Sequence, residues 1–261
     1  MQPDEVILPL TPMRVWEKRF GICHKSGRPG IFTGPPGMCK TTAIRAFATR
    51  FPANVGVITL NRKKTGSRDV LRLVVQAVRR LRGERSDGHI FQEAHKIAGQ
   101  LRYELKYWYN DIRIGRPEND TRLTIVFDEA QYLAREALDE LRYWNDQPDD
   151  GVPIKLGLIF VGNHELSLKV DDEGKTVISR AVGDRARFIE ALDYSEITND
   201  DLAMFTRSRG IDEPEAVTAI VRHFSAPRAI RSLRRVADFI EDVELFADGK
   251  PITAQMILEM V

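Results

Sequence analysis

The chain has 261 residues, 43% hydrophobic and 30% charged, with a formal net charge of +1. That length supports one large domain, or one domain plus a small second one, with a buried core in a soluble chain. No apolar run approaches the roughly 20 residues that span a bilayer. The stretch MQPDEVILPLTPM lacks the features of a secretory signal, and two cysteines, Cys23 and Cys39, make neither a disulfide framework nor a four-ligand zinc site. A cytoplasmic location and no membrane partner are therefore expected.

Residues 12–28 read as a helix that ends at Gly27-Arg28-Pro29-Gly30. Gly30 to Thr33 is a short apolar strand running into Gly34. TTAIRAFATRF follows Lys40, with Ala43, Ile44, Phe47 and Ala48 at helical spacing, until Pro52 and Asn54 break it. VGVITL, 55–60, is a second strand. Ser67 is an expected N-cap for a helix over 69–81 whose apolar positions Val70, Val74, Ala77, Val78 and Leu81 share a face. A longer helix is predicted over 90–112 and a turn over 115–120. LTIVF, 123–127, has the composition of a parallel strand covered on both faces. A helix over 134–144, a strand over 156–161 and a shorter strand over 188–192 complete the series, and four helical segments follow Thr198. Strands alternating with helices predict a parallel α/β sheet, with a nucleotide-binding domain over 1–196 and a small helical lid over 197–261.

The loop GPPGMCKTT, residues 34–42, sits between a predicted strand and a predicted helix. It fits the pattern G-x-x-x-x-G-K-[ST] except that Cys39 stands where glycine is called for. Such a turn aims backbone N–H groups inward, and the helix dipole adds to the anion cradle. Gly34, Pro35, Pro36, Gly37, Met38, Cys39, Lys40, Thr41 and Thr42 are thus candidate nucleotide contacts. Lys40 reaches the β- and γ-phosphates, and the Thr41 hydroxyl is a ligand for Mg²⁺. Asp128 and Glu129 follow the buried run directly, so both acids are expected at its carboxyl end. Asp128 suits metal binding through water, and Glu129 suits orienting and deprotonating the attacking water. Cys39 as a catalytic thiol is disfavoured, because no histidine stands near it in sequence.

With these motifs on a five-strand pattern followed by a helical lid, the chain resembles the AAA+ ATPases of the P-loop NTPase class. GPPGMCKT looks like Walker A and LTIVFDEA like Walker B. The resemblance implies ATP and Mg²⁺ as cofactors and a polar sensor at Asn163 in LIFVGN. It implies an arginine finger acting in trans, for which GDRARF offers Arg187 and Arg185, with Arg180 as a further candidate. It also implies a second sensor at the start of a lid helix, Arg228 in SAPRAIRSLRR, with Arg231 as alternate. Ala226-Pro227 before Arg228 departs from the family glycine, as Cys39 does. Surface pairing of Arg185 and Arg187 with Asp184, Glu190 or Asp193 is the plainer alternative. DEAQYL and the PRAIRSL-like lid segment are further similar to transposition regulators of the phage Mu B, TnsC and TniB type, over roughly residues 12–245. That implies ATP-dependent self-association into a helical filament or ring on double-stranded DNA, and a transposase partner with or without a targeting factor. Other AAA+ machines of the clamp- or helicase-loader type, and an ATP-gated scaffold with little hydrolysis, remain the alternatives.

Charge distribution supplies a candidate DNA face. Residues 62–85 hold nine Lys or Arg against two acids. Phosphate binding needs such cations and little base contact. Carried over by motif position, the contacts fall on Lys64 and Arg68, then Arg62, Lys63, Arg82 and Arg85, with Ser86 beside them. A solvated basic helix is the alternative. The aromatic cluster Tyr103, Tyr107, Trp108 and Tyr109 is expected to pack against the sheet rather than stack bases. His89 and His95 are expected at the surface rather than on a metal.

Overall fold

The computed structural model describes residues 7–61, 63–85, 88–113, 122–146, 154–168 and 180–261. The first helix, α1, covers Thr11–Ser26. Then come β1 (Gly30–Thr33), α2 (Lys40–Arg50), β2 (Val55–Thr59), α3 (Ser67–Leu81) and α4 (Ala94–Arg113). β3 (Leu123–Asp128), a short 3₁₀ turn (Ala130–Tyr132), α5 (Arg135–Asp146), β4 (Leu156–Gly162), α6 (Glu165–Leu168), α7 (Arg180–Gly183) and β5 (Phe188–Ala191) follow. The last helices are α8 (Asn199–Ser208), α9 (Pro214–Ser225), α10 (Leu233–Ala247) and α11 (Ala254–Met260).

The five strands form one parallel sheet in the order β2-β3-β4-β1-β5. Every residue of β3 and β4 is buried, as expected for interior parallel strands covered on both faces. Phe127 of β3 stacks on Phe160 of β4, with ring centroids 5.5 Å apart. β4 carries glycine where its neighbour crowds it: a Cβ on Gly157 would stand 2.6 Å from Thr124 Oγ1. α3 turns Val70, Val74, Ala77 and Val78 into this core, the face its spacing predicts.

Several boundaries differ from the sequence reading by a residue or more, three of them near the candidate site or the basic stretch. α3 begins at Ser67 itself, and Gly66 takes the N-cap position without a side-chain cap bond. α4 begins at Ala94, although Ile90 ahead of it is buried. β3 runs one residue further, so Asp128 is its last residue. The aromatic cluster divides. Trp108 is buried and donates from Nε1 to Ala53 O at 2.9 Å. Tyr109 packs partly buried on the core, whereas Tyr103 is 56% exposed and pairs with Tyr107, centroids 4.2 Å apart.

The chain forms two compact units. One comprises residues 17–33 and 43–191. The other comprises residues 1–16, 34–42 and 192–261, so the Gly34–Thr42 segment groups with the four C-terminal helices. In the second unit α8 starts with a reciprocal cap. Thr198 accepts from the Asp201 N–H, and Asp201 accepts from the Thr198 N–H. Among the described residues no helix is long and apolar enough to cross a membrane.

Phe127 is fully buried and stacked, so Phe127→Ala is expected to cost about 3–5 kcal/mol of unfolding free energy. Urea or guanidinium denaturation measures it, and a loss under about 1 kcal/mol would contradict this packing.

Candidate functional site

The loop after β1 is shaped by two residues with positive φ: Gly37 at +81° and Cys39 at +55°. The left-handed region is costly for a residue with a Cβ, so Cys39 sits under strain of order 1–3 kcal/mol. Three side chains of the same unit hold the loop. Trp16 Nε1 donates to Met38 O at 3.0 Å, Tyr194 donates from its hydroxyl to Pro36 O at 3.1 Å, and the Ser232 hydroxyl donates to the same carbonyl at 3.3 Å. Gly37 has no room for a side chain, since a Cβ there would lie 2.3 Å from Ser232 Oγ. Met38 is fully buried beneath the loop.

Lys40 opens α2, and its ammonium donates to Gly34 O at 2.6 Å and Pro35 O at 2.9 Å. The cation is therefore folded onto the loop's own carbonyls. Thr41 and Thr42 are exposed in the first turn of α2. A glycine-shaped turn, a lysine lying across it and a hydroxyl at a helix N-terminus are the parts that hold a triphosphate with its Mg²⁺. Burial, with the Asp201 carboxylate as a lesser cause, pushes the Cys39 thiol up to about 11. A thiol raised in this way is a poor source of thiolate, which argues against Cys39 as a nucleophile.

The acidic pair belongs to the other unit. Asp128 is buried at the end of β3, where its carbonyl accepts from the Leu60 N–H at 3.0 Å. Its carboxylate accepts from the Glu129 N–H at 3.0 Å. Glu129 has φ of +58°, a second non-glycine residue in the left-handed region. Gln131 Nε2 donates to Glu129 Oε2, while Gln131 Oε1 accepts from the Asn163 N–H at 3.2 Å. Asn163 lies just past β4, and its side chain accepts from the Glu165 N–H at 3.1 Å, which starts α6. Asp128, Glu129 and Asn163 are thus brought to neighbouring strand ends, and Gln131 links the last two.

Of the arginines, Arg185 Nε is paired with Asp146 at 2.7 Å, a carboxylate the sequence reading did not consider. Arg187 is exposed beside the Phe188 ring. The Arg180 side chain lies outside the described residues. Arg228 is exposed in the 226–232 connection, ahead of the lid helix rather than on it, because α10 starts only at Leu233. Arg231 is committed to Ile197 O at 2.9 Å. The first-turn arginines of α10 are Arg234 and Arg235, and the backbone N of Arg234 lies 3.1 Å from a Cβ position on Gly37. Trp16, Tyr194 and Ser232 carried no motif signal at all.

The basic stretch splits into two groups. Glu104 on α4 has a side chain only 3% exposed and takes Arg79 Nε at 2.7 Å and Arg82 Nη1 at 2.8 Å. Arg82 also meets Glu84 at 2.9 Å and Asp111 at 3.0 Å, leaving its side chain 11% exposed. Burial depresses the Arg82 pKa, but the Asp111 hydrogen bond and the surrounding carboxylates outweigh it and raise the value. Arg82 is therefore neutralised within the fold and offers little charge to a phosphate. Lys63, Lys64, Arg68 and Arg85 remain exposed, with Arg68 in a surface pair with Asp69 at 3.5 Å. Arg62 and Ser86 lie outside the described residues. His89 and His95 are exposed, and His24 is buried with Nδ1 2.8 Å from Thr124 Oγ1.

A parallel sheet with a phosphate-type loop after β1 and an acidic pair after β3 defines a P-loop NTPase. The family model described as an AAA domain matches residues 23–170, more than half of the chain, and the chain belongs to that ATPase family. Among solved structures it is similar to Cdc6p from Pyrobaculum aerophilum, at 14% identity and a TM-score of 0.60, covering 95% of this chain and 65% of that one. It is similar to Drosophila ORC bound to DNA, at 15% identity and a TM-score of 0.56, covering 99% of this chain and 62% of that one. A variant of RuvB from Thermotoga maritima aligns at 14% identity and a TM-score of 0.50, covering 95% and 68%. At these identities the likeness is one of fold, and the chain spans less than two thirds of the Cdc6p and ORC chains. A comparison with curated proteins found no match.

Two outcomes test this geometry. Cys39→Gly relieves the left-handed strain and is expected to bind ATP at least as tightly as the wild type. Cys39→Val, with a branched Cβ in the same conformation, is expected to bind about tenfold or more weakly, for a strain of order 1–3 kcal/mol. Titration with labelled ATP measures both, and equal affinities for glycine and valine would refute the strain. Separately, Glu104→Ala leaves Arg79 and Arg82 without their buried partner and is expected to destabilise the fold by about 3 kcal/mol. Lys64→Glu is expected to change stability by less than about 0.5 kcal/mol.

Proposed function

We propose that this chain is an ATP-dependent DNA-binding regulator of transposition, which assembles on target DNA and recruits or activates a transposase. The observation that carries the nucleotide half is the Gly37–Cys39 turn, which delivers Lys40 to the top of α2 with its ammonium over the loop. Lys40 holds the β- and γ-phosphates. Thr41 and, through water, Asp128 hold Mg²⁺, which neutralises phosphate charge when bound. Glu129 orients the attacking water and accepts its proton, and Asn163 serves as the polar sensor. Arg187, exposed beside the Phe188 ring, is the better finger candidate than Arg185, which Asp146 occupies. Arg234 is a better second sensor than Arg228, because it stands in the first turn of the lid helix.

The DNA half is supported by the exposed cations Lys63, Lys64, Arg68 and Arg85, left over after the fold has consumed Arg79 and Arg82. The Drosophila neighbour, an ORC bound to DNA, adds weight to a DNA-associated role. Finger chemistry acts between subunits, so a head-to-tail assembly follows, which closes as a ring or winds as a filament. The likeness to Cdc6p and ORC also favours a second reading, an AAA+ machine of the loader type. Imaging the protein with duplex and an ATP analogue separates them. A continuous helix coating DNA supports the transposition reading, and isolated closed rings support the loader.

Lys64→Glu combined with Arg68→Glu is expected to abolish duplex binding at physiological salt while ATP binding persists. It is also expected to reduce the salt dependence by about 0.9 per lost phosphate contact. Unchanged DNA affinity removes the loop from the interface. Glu129→Gln is expected to lower turnover by about 10²-fold or more and to accumulate the ATP-bound assembly; wild-type turnover in that variant ends the assignment of Glu129.

A further inference from the structure

We propose that the outer face of α10 is a docking surface for a basic amphipathic helix of a partner protein. This goes beyond the nucleotide and DNA reading, and it requires neither ligand.

The face has an apolar centre. α10 turns Leu233, Val236, Ile240, Val243 and Ala247 inward, which fixes the stripe that points away from the unit. On that side Leu245 is 81% exposed, and Phe246 next to it is 54% exposed. A lone exposed apolar side chain is ordinary, but two large ones side by side mark a contact surface. At about 100° per residue, Asp238, Glu241 and Asp242 fall within about 60° of Leu245 around the helix. Glu244 and Phe246 flank the stripe on either side, and all of these side chains are exposed.

The carboxylates stand where the helix itself disfavours them. Glu241, Asp242 and Glu244 occupy the last two turns, Asp248 follows at the C-cap with φ of +48°, and no basic residue lies in the last turn. A helix C-terminus carries partial negative charge and favours cations. Asp238 with Glu241, Asp238 with Asp242, and Glu241 with Glu244 are like charges three or four residues apart, which repel. Cations brought by a partner relieve both penalties at once, so charge selects a basic segment. The same charge turns away nucleic acid and anionic lipid.

A cavity of about 390 Å³ opens at the same helix end. Asp212, Glu213, Glu244 and Lys250 line it together with Ile211 and Ile252. Glu213 Oε2 accepts from the Ala254 N–H at 3.2 Å, which fixes that wall to the start of α11. Carboxylates beside isoleucines suit the charged head and apolar stem of a lysine or arginine. A helix laid along α10 sets its apolar residues on Leu245 and Phe246 and one long cation in this cavity.

The probe is a fluorescein-labelled peptide of about 18 residues, with leucines at i, i+3, i+4 and i+7 and with lysine or arginine elsewhere. Anisotropy with the full chain, without ATP or DNA, is expected to show saturable binding at one peptide per chain. A peptide of the same composition, scrambled so that no apolar face forms, is expected to bind about tenfold or more weakly. Leu245→Ser combined with Phe246→Ser is expected to cost the ordered peptide a similar factor. Glu241→Lys combined with Glu244→Lys is expected to cost about tenfold at low salt and to flatten the salt dependence. These four positions are exposed, so both variants are expected to keep the wild-type circular dichroism and melting temperature. No saturable binding, equal binding of the scrambled peptide, or wild-type affinity in either variant overturns the proposal. So does a dimer in sedimentation equilibrium that the Leu245→Ser, Phe246→Ser protein loses, because a second copy then covers the face. A chain that binds the peptide but neither ATP nor duplex keeps this docking face and loses the proposed function.

Discussion

A chain leaving the buried end of a parallel strand must turn away from the sheet within a few residues. In this protein it does so twice through the left-handed region without using glycine at the critical residue. Cys39 has φ of +55° and Glu129 has φ of +58°. Each conformation is unfavourable for a residue with a Cβ, and each survives because neighbouring groups impose it. Around the loop those groups are Trp16, Tyr194 and Ser232, which bind its carbonyls. Around Glu129 they are Gln131 and the Asn163 N–H. Ligands of open α/β sheets bind at the carboxyl ends of strands, where such turns occur. The strained residues and the candidate chemistry therefore coincide for one geometric reason.

The cations of the 62–85 stretch show how a fold reallocates charge. Glu104 lies 22 residues from Arg82 and 25 from Arg79 in sequence, yet it collects both. An ion cluster of this burial is expensive to break and of modest net worth to form. Its consequence is to sort the stretch. Arg79 and Arg82 become structural, tying α3 and the turn after it to α4, and Lys63, Lys64, Arg68 and Arg85 stay exposed. A count of basic residues in sequence overstates the electrostatic face by the members that the fold consumes.

The same sorting applies to the aromatics and the lid. Trp108 and Tyr109 go to the core, while Tyr103 and Tyr107 stay at the surface, because only one side of α4 packs on α3 and the core. Arg228 lies ahead of α10, which starts only at Leu233, so the first turn of that helix carries Arg234 and Arg235 instead. Ala226 and Pro227 lead out of α9 into a turn closed by the Ala229 N–H on Ala226 O at 2.9 Å, with Ala226 itself in the extended region.

The sequence by itself determined the alternation of strands and helices, the parallel sheet, the position of the phosphate-type loop and the acids at the end of the third strand. Periodicity and composition are local, and the backbone must follow them wherever the chain goes. Boundaries within two or three residues were legible for most elements, for the same reason. Only the tertiary structure decided the sheet order β2-β3-β4-β1-β5, the partners of Arg79, Arg82 and Arg185, and the seat of Gln131 between Glu129 and Asn163. Apart from the local Gln131–Glu129 contact, those facts join residues 22 to 39 positions apart, or strands separated by whole helices, and no local pattern encodes which distant group will arrive beside them.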